Sequence, residues 1–205
     1  MDEELKSLDN DLLGSSSLHT TPAGGVSPLP LWYVVNVRST MERVIRDNLL
    51  HQGIEAYVAS QEELHVYKNR TRRMTERIVI DSKVFVHILP EQRLDVLHVH
   101  PAVYHFLTDR ASQPSVTGYR RYAIIPDAQI QRLQYMLRYS PEPVTFVSRP
   151  LHLGDRVRVL RGPLVGFEGD FLRQGSHTYI VVTLDKLGYT QTQIPLTDVE
   201  LITKV

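Results

Sequence analysis

The sequence predicts an α+β protein of two small domains, an α/β sandwich followed by a five-stranded β-barrel. Three observations support this fold class. The chain has 205 residues, which is enough for two separate cores. Between residues 30 and 140, short apolar strands alternate with amphipathic helical segments, as in a sheet covered by helices. From residue 151 onward, turn signals separate short strands with alternating apolar residues, which is typical of a small barrel.

The first predicted elements form a strand, a helix and a returning strand. An apolar strand runs from Trp32 to Val37. Ser39 and Glu42 have the spacing of a capping box, which predicts the start of an amphipathic helix, and Gly53 ends it. Residues 54–58 return as a strand. The predicted apolar face of the helix consists of Met41, Val44, Ile45 and Leu49.

The rest of the first domain is predicted as a hairpin followed by short helices and strands. The hairpin pairs residues 64–67 with 78–88, and residues 108–119 form a long polar surface loop. A final helix, 127–139, begins after Pro126. The other predicted elements are a helix at 91–98 and strands at 103–107 and 121–125. The apolar face of the final helix is Ile130, Leu133, Met136 and Leu137.

The remaining segments complete a four-part organisation. Residues 1–29 form an acidic leader that we expect to be disordered, and 30–140 form the first domain. A proline-rich linker at 141–150 joins it to the barrel domain at 151–205. The predicted barrel strands are 156–161, 168–173, 178–184, 190–195 and 199–202.

Composition places the basic surface in the first domain and indicates a cytoplasmic protein. The net charge of zero divides into −4 for residues 1–29, 0 for 151–205 and therefore +4 for 30–150. The chain has no cysteine, which excludes disulfides and favours a reducing compartment. Its apolar runs are only strand-length and it begins acidic, so we expect neither a membrane span nor a secretory signal.

Nothing in the sequence indicates an enzyme. The chain has nine histidines, and His98, His100 and His105 are close in sequence. They lack the carboxylate or thiolate partners that metal sites normally have, so no metal is predicted. No phosphate loop, nucleophile elbow or dinucleotide motif occurs, and we predict no cofactor. The sequence therefore predicts a binding protein.

Two basic groups are candidate nucleic-acid contacts. The hairpin connection at 68–77 holds five basic residues and one acid, and arginines on a protruding loop can bind phosphates. The second group lies at the start of the first helix. For both groups a solvated basic surface without a partner is the alternative. The candidate residues are Arg38, Arg43, Arg46, Lys68, Arg70, Arg72 and Arg73.

Two stretches of sequence together resemble one protein family. Residues 154–169 have the order Gly-Asp-x-Val-x-Val-x-x-Gly-Pro-x-x-Gly-x-x-Gly, which resembles the KOW motif of transcription-elongation and ribosome-associated proteins. Residues 31–58, with a Trp-Tyr-Val-Val start and a Gly-Ile-Glu-Ala-Tyr return, resemble the N-terminal domain of NusG. That domain followed by a KOW domain is the plan of the NusG family, and the resemblance extends from Leu31 to Ile202.

The resemblance implies an apolar depression that seats the clamp helices of RNA polymerase. Residues 78–86 are similar to the family segment that forms this depression, and they depart from it at Asp81, Ser82 and Lys83. The alternative is a plain core strand. The residues implied as polymerase contacts are Ile80, Val84, Phe85 and Phe106.

The resemblance also implies other partners and a function. The first helix would face the non-template DNA strand, and the KOW domain would meet a ribosomal protein or Rho through Phe167, unless that ring is folded down as a plug. The implied function is that of a monomeric transcription elongation or antitermination factor. The sequence is most similar to the UpxY-type antiterminators of surface-polysaccharide operons. The alternative is a ribosome- or RNA-binding KOW protein without a polymerase role.

Overall fold

The structure is a computed structural model that describes residues 29–66, 70–114, 118–148 and 153–203. The predicted leader, apart from residue 29, lies outside the described residues. The first part of the chain contains β1 (Leu31–Val37), α1 (Glu42–His51), β2 (Glu55–Tyr57), β3 (Ser60–Val66), β4 (Arg72–Ile78), β5 (Lys83–Ile88), α2 (Arg93–His98), β6 (Val103–Phe106), β7 (Ile124–Ile125) and α3 (Asp127–Tyr139). The second part contains β8 (Thr145–Val147), β9 (Arg156–Val159), β10 (Glu168–Gln174), β11 (His177–Leu184), β12 (Gly188–Gln193) and β13 (Val199–Thr203).

An antiparallel sheet with helices on both faces forms the first part. Its strand order is β2-β5-β1-β6, and the short β7 also pairs with β1. Side chains alternate between faces along a strand, so the buried strand β1 supplies two cores. Tyr33 and Val35 belong to the cluster with Ile45 of α1 and Val96 of α2. Trp32, Val34 and Phe85 belong to the cluster with Ile130, Leu133 and Met136 of α3.

The helices were largely predicted, with two corrections in α1. The four predicted apolar residues of α3 are its buried residues, which confirms that face. In α1, Ile45 and Leu49 are buried but Val44 is 45% exposed. The capping box is wrong, because Met41 is the N-cap and no side chain caps the helix. Glu42 instead accepts a 2.7 Å hydrogen bond from the backbone N–H of Ser82.

The predicted pairing of 64–67 with 78–88 is also wrong. The hairpin is β3 with β4, in a register that places Ser60 opposite Ile78 and Val66 opposite Arg72. The stretch 78–88 is not one strand, because the chain turns between β4 and β5 with Ser82 at φ 57°. Most of the basic segment predicted as a loop is therefore strand β4. This hairpin forms a separate two-stranded sheet.

The C-terminal part is a six-stranded antiparallel sheet with the order β13-β9-β10-β11-β12-β8. All five predicted strands exist, but β8 joins them from the segment predicted as a linker. No pairing closes the two ends of this sheet within the described residues, so the five-stranded closed barrel is not confirmed. The turn between β9 and β10 requires glycine, since Gly162 and Gly166 both have φ 81°.

The segment after α3 is held by the base of the hairpin rather than being a free linker. Gln61 is 5% exposed and its amide oxygen accepts the Val144 N–H at 2.8 Å. Its amide nitrogen donates to the carbonyl of Glu142 at 3.1 Å, and Arg77 donates to the carbonyl of Val144 at 2.9 Å. Val144 is fully buried. Residues 140–144 are therefore fixed to β3 and β4 before β8 enters the second sheet.

Candidate functional site

The β3–β4 hairpin presents a row of cations without acidic partners. Arg70, Arg72 and Arg73 are exposed, and none forms an ion pair with a carboxylate in the described residues. Arg72 and Arg73 are consecutive in a strand, so they lie on opposite faces of the hairpin. Lys68, the fourth predicted contact here, lies outside the described residues. The hairpin therefore offers charge on both of its faces.

The second predicted basic group is used within the structure. Arg43 Nε lies 2.8 Å from a carboxylate oxygen of Glu76, and Arg46 Nη1 lies 3.8 Å from the other one. Arg46 also pairs with Asp47 at 2.8 Å. These contacts join α1 to β4 and partly neutralise both arginines. Of this group, Arg38 alone is exposed without an ion pair in the described part of the chain.

The four predicted polymerase contacts do not form one depression. Their exposures are 0–2%, and they divide between the two faces of the sheet. Ile80 and Phe85 belong to the cluster that packs on α3, whereas Val84 and Phe106 belong to the cluster that packs on α1 and α2. Val84 and Phe85 lie on opposite faces of the sheet because successive side chains of strand β5 point to alternate faces. The part of this segment that reaches the surface is the turn at Asp81, which is exposed.

Phe167 is not an exposed anchor. Its side chain is 6% exposed and its ring stacks on Tyr135 of α3, with centroids 5.6 Å apart and planes 13° apart. It is thus folded down, onto a helix of the first part, in an apolar cluster that also contains Val157 and Ile180 of the C-terminal sheet. Beside this stack lies a groove of about 490 Å³, lined by Ala128, Gln131, Arg132, Tyr135, Val165, Gly166, Phe167 and Glu168.

Further contacts, which sequence analysis did not predict, join α3 and its neighbours to the second sheet. Gln129 accepts the N–H of Asp185 at 2.7 Å. Lys186 Nζ lies 3.4 Å from Asp109. The hydroxyls of Ser140 and Thr192 lie 2.7 Å apart. One apolar cluster also extends from Trp32 through α3 to β11.

Electrostatics on the second sheet are local. The pKa of Glu168 is held below its ordinary value, chiefly by the hydrogen bond from Arg158, whose guanidinium is 2.8 Å away. Burial raises the pKa of the Tyr57 hydroxyl in the first part, so this group stays protonated.

In the described ranges, no group of three or more His, Cys, Asp or Glu side chains could hold a metal ion. No helix in those ranges is long and apolar enough to cross a membrane.

Comparison with known proteins identifies the family. The family model described as "Transcription termination factor nusG" matches residues 30–134, just over half of the chain. The chain therefore belongs to the NusG family, whose members are non-enzymatic transcription factors. No curated protein sequence matches it.

Among solved structures, the chain is similar to one described as "Domain interaction in Thermotoga maritima NusG", with 20% identity and a TM-score of 0.42. That match covers 85% of this chain and 98% of the other. It is also similar to two conformations of an MjSpt4:Spt5 complex, A and B, each with 13% identity and coverage of 85% of this chain. The match covers 100% of the conformation A chain, with a TM-score of 0.26, and 98% of the conformation B chain, with a TM-score of 0.27.

Proposed function

We propose that this protein is a transcription elongation and antitermination factor that binds RNA polymerase and suppresses pausing or termination. The observation that carries the proposal is the NusG family match over 30–134. That range contains both the β3–β4 hairpin with its unpaired arginines and the turn at Asp81. The action would be physical, since a factor that binds the closed, processive complex more tightly than the open one shifts the equilibrium toward it.

The proposed contacts divide by chemistry. Arg70, Arg72 and Arg73 would meet non-template DNA, with Arg38 at the end of β1 as a further cation. The clamp region of polymerase would meet the turn at Asp81, which the buried side chains of Ile80 and Phe85 hold in place. The C-terminal sheet, proposed as a KOW domain, would serve a second partner such as a ribosomal protein or Rho.

The finer assignment is an operon-specific paralog. The divergent segment 78–86, the sequence 123–130 and the acidic leader support a specialised UpxY-type antiterminator of surface-polysaccharide genes over a housekeeping factor. Such a protein would act as a cytoplasmic monomer on the elongation complex.

Transcription in vitro across an intrinsic terminator, with and without the full chain, tests the proposal. We expect more readthrough and shorter pauses with the protein, and co-purification with core polymerase. Unchanged termination together with no retention on polymerase would reject it. Retention on ribosomes instead of polymerase would support the alternative of a ribosome- or RNA-binding protein.

A further inference from the structure

A surface rich in tyrosine and arginine lies at the β6 edge of the first sheet. It consists of Arg93, Tyr104, Tyr119, Arg120, Arg121 and Tyr122, and is called the Tyr/Arg surface below. The three tyrosines are exposed by 57%, 79% and 40% in chain order.

Ring contacts join two members of the surface, Arg93 and Tyr122, to strand β6. The guanidinium of Arg93 lies 4.6 Å from the ring centre of Tyr122, which in turn lies 5.6 Å from the ring of Phe106. Phe106 is on β6, two residues after Tyr104. Tyr104 is the extra residue of a bulge, because His105 pairs with Asn36 and Val103 with Val37. Bulges re-aim side chains, and this one leaves Tyr104 outward at the sheet edge.

The arginines of this surface have no acidic partners. None of Arg93, Arg120 and Arg121 forms an ion pair within the described ranges, in contrast to Arg43, Arg77 and Arg158 elsewhere. Arg120 instead donates to the carbonyl of Arg110, a further unpaired cation.

The nearby carboxylates do not compensate this charge. Asp109 accepts the Ala111 N–H at 2.9 Å and pairs with Lys186, and its side chain is 19% exposed. Asp95 lies two residues after Arg93 on α2, and residues at that spacing do not face each other. The exposed charges of Arg120 and Arg121 are therefore not neutralised by a carboxylate within the described ranges.

The Tyr/Arg surface is separate from the β3–β4 hairpin. In the strand order β2-β5-β1-β6, the chain leaves β2 at one edge for the hairpin, whereas β6 is the other edge. The two surfaces therefore lie in different places on the first part of the protein.

We propose that the Tyr/Arg surface binds single-stranded nucleic acid, independently of the polymerase contacts described above. Exposed tyrosine rings stack on unpaired bases, whose faces a duplex hides, and arginines bind the phosphates between them. An acidic peptide would satisfy the arginines but leave the rings without stacking partners. The same chemistry fits DNA and RNA, so the test includes both.

Fluorescence anisotropy with the full chain and labelled oligonucleotides of about twelve nucleotides, oligo(dT) and oligo(U), tests this proposal. Arg120→Ala/Arg121→Ala should weaken binding and reduce the salt slope by about 1.4, since each lost phosphate contact of a single strand contributes about 0.7. Tyr104→Ala should weaken binding about fivefold or more while leaving the salt slope unchanged. Tighter binding of one oligonucleotide identifies the strand preferred.

Arg161→Ala/Arg173→Ala is the matched control, because it removes the same charge from exposed arginines of the C-terminal sheet. We expect it to bind like the parent chain. The proposal is overturned if Arg120→Ala/Arg121→Ala matches this control in affinity and slope. It is also overturned if a DNA duplex or polyglutamate displaces the labelled strand as well as unlabelled oligonucleotide does.

Photocrosslinking of a thiouridine-substituted strand maps the binding site on the protein without substitutions. The result therefore does not depend on whether a variant folds. Crosslinks at Tyr104 or at residues 118–122 support the proposal. Crosslinks confined to the hairpin at 60–78 contradict it, whatever the outcome of the polymerase experiments.

Discussion

Tyr135 and Phe167 stack face to face with their planes only 13° apart, and this contact joins α3 to the turn before β10. Because α3 also packs on the first sheet through Leu133 and Met136, one helix contributes to the cores on both of its sides. The aromatic ring that the KOW resemblance implied as a partner anchor is thus part of the packing between the two halves of the protein.

The first prediction concerns this stack. Phe167→Ala should destabilise the protein by roughly 3–5 kcal/mol, the usual cost of truncating a buried phenylalanine. The double variant with Tyr135→Ala should cost less than the sum of the single variants, by about 0.5–1.5 kcal/mol for the ring pair. Urea unfolding of the four proteins measures both quantities. Tyr119→Ala, at a 79% exposed ring, is the control that should change little.

The second prediction concerns pH. The Ala111 N–H, and then Lys186, hold the pKa of Asp109 below its ordinary value of 3.8. Because the folded-state pKa is lowered, the resulting stabilisation is present above about pH 4 and disappears as the pH falls through that pKa. Melting temperatures of the parent and Asp109→Asn should therefore converge as the pH is lowered toward 3.

Lys186→Gln provides the comparison for this carboxylate. It keeps the hydrogen bond from the Ala111 N–H, which is the first cause of the lowered pKa, so it should shift the melting temperature less than Asp109→Asn. Its effect should also decrease in high salt, since the ion pair is partly exposed. A melting difference for Asp109→Asn that is the same at pH 6 and pH 3 would contradict the role assigned to this side chain.

The third prediction separates the charge of Glu42 from its role as an acceptor. Glu42 is 1% exposed, and one carboxylate oxygen accepts the Ser82 N–H while the other has no hydrogen-bond partner in the described residues. Glu42→Ala should cost about 1–3 kcal/mol because the Ser82 N–H loses its acceptor. Glu42→Gln keeps an acceptor and should cost clearly less. Equal losses in urea unfolding would show that the charge matters instead.

The elements that could be predicted from the sequence are those determined by residues close together along the chain. Strand β1 and helix α3 follow from local periodicity and were predicted within a residue or two. The β3–β4 register was not, because it depends on pairings such as Gln61 with Arg77 and on Glu76 binding α1. Strand β8 was missed for the same reason, since it pairs with β12, over forty residues later.

In the candidate site, too, contacts between residues distant in sequence could not be predicted. The basic character of the hairpin was predicted from composition, but the ion pairs of Arg43 and Arg46 with Glu76 span about thirty residues and leave no local signal. The alternation along β5 did indicate that Val84 and Phe85 face opposite ways, and it could have separated them. Because Ile80 is 1% exposed, Ile80→Asp would bury a carboxylate in the core and destabilise the domain whether or not Ile80 contacts polymerase.

The final prediction tests the hairpin arginines in the proposed function. Replacing Arg70, Arg72 and Arg73 with alanine should weaken binding to a polymerase elongation complex and reduce readthrough, because fewer phosphate counterions are released. The salt slope of binding should fall by about 2, given about 0.7 for each contact with a single strand. The control replaces Arg138, Arg161 and Arg173, which are exposed and form no ion pair in the described ranges. Because both variants lose three charges, a nonspecific effect of net charge would lower both slopes equally. If the two variants match, the hairpin is a solvated tip and DNA contacts lie elsewhere.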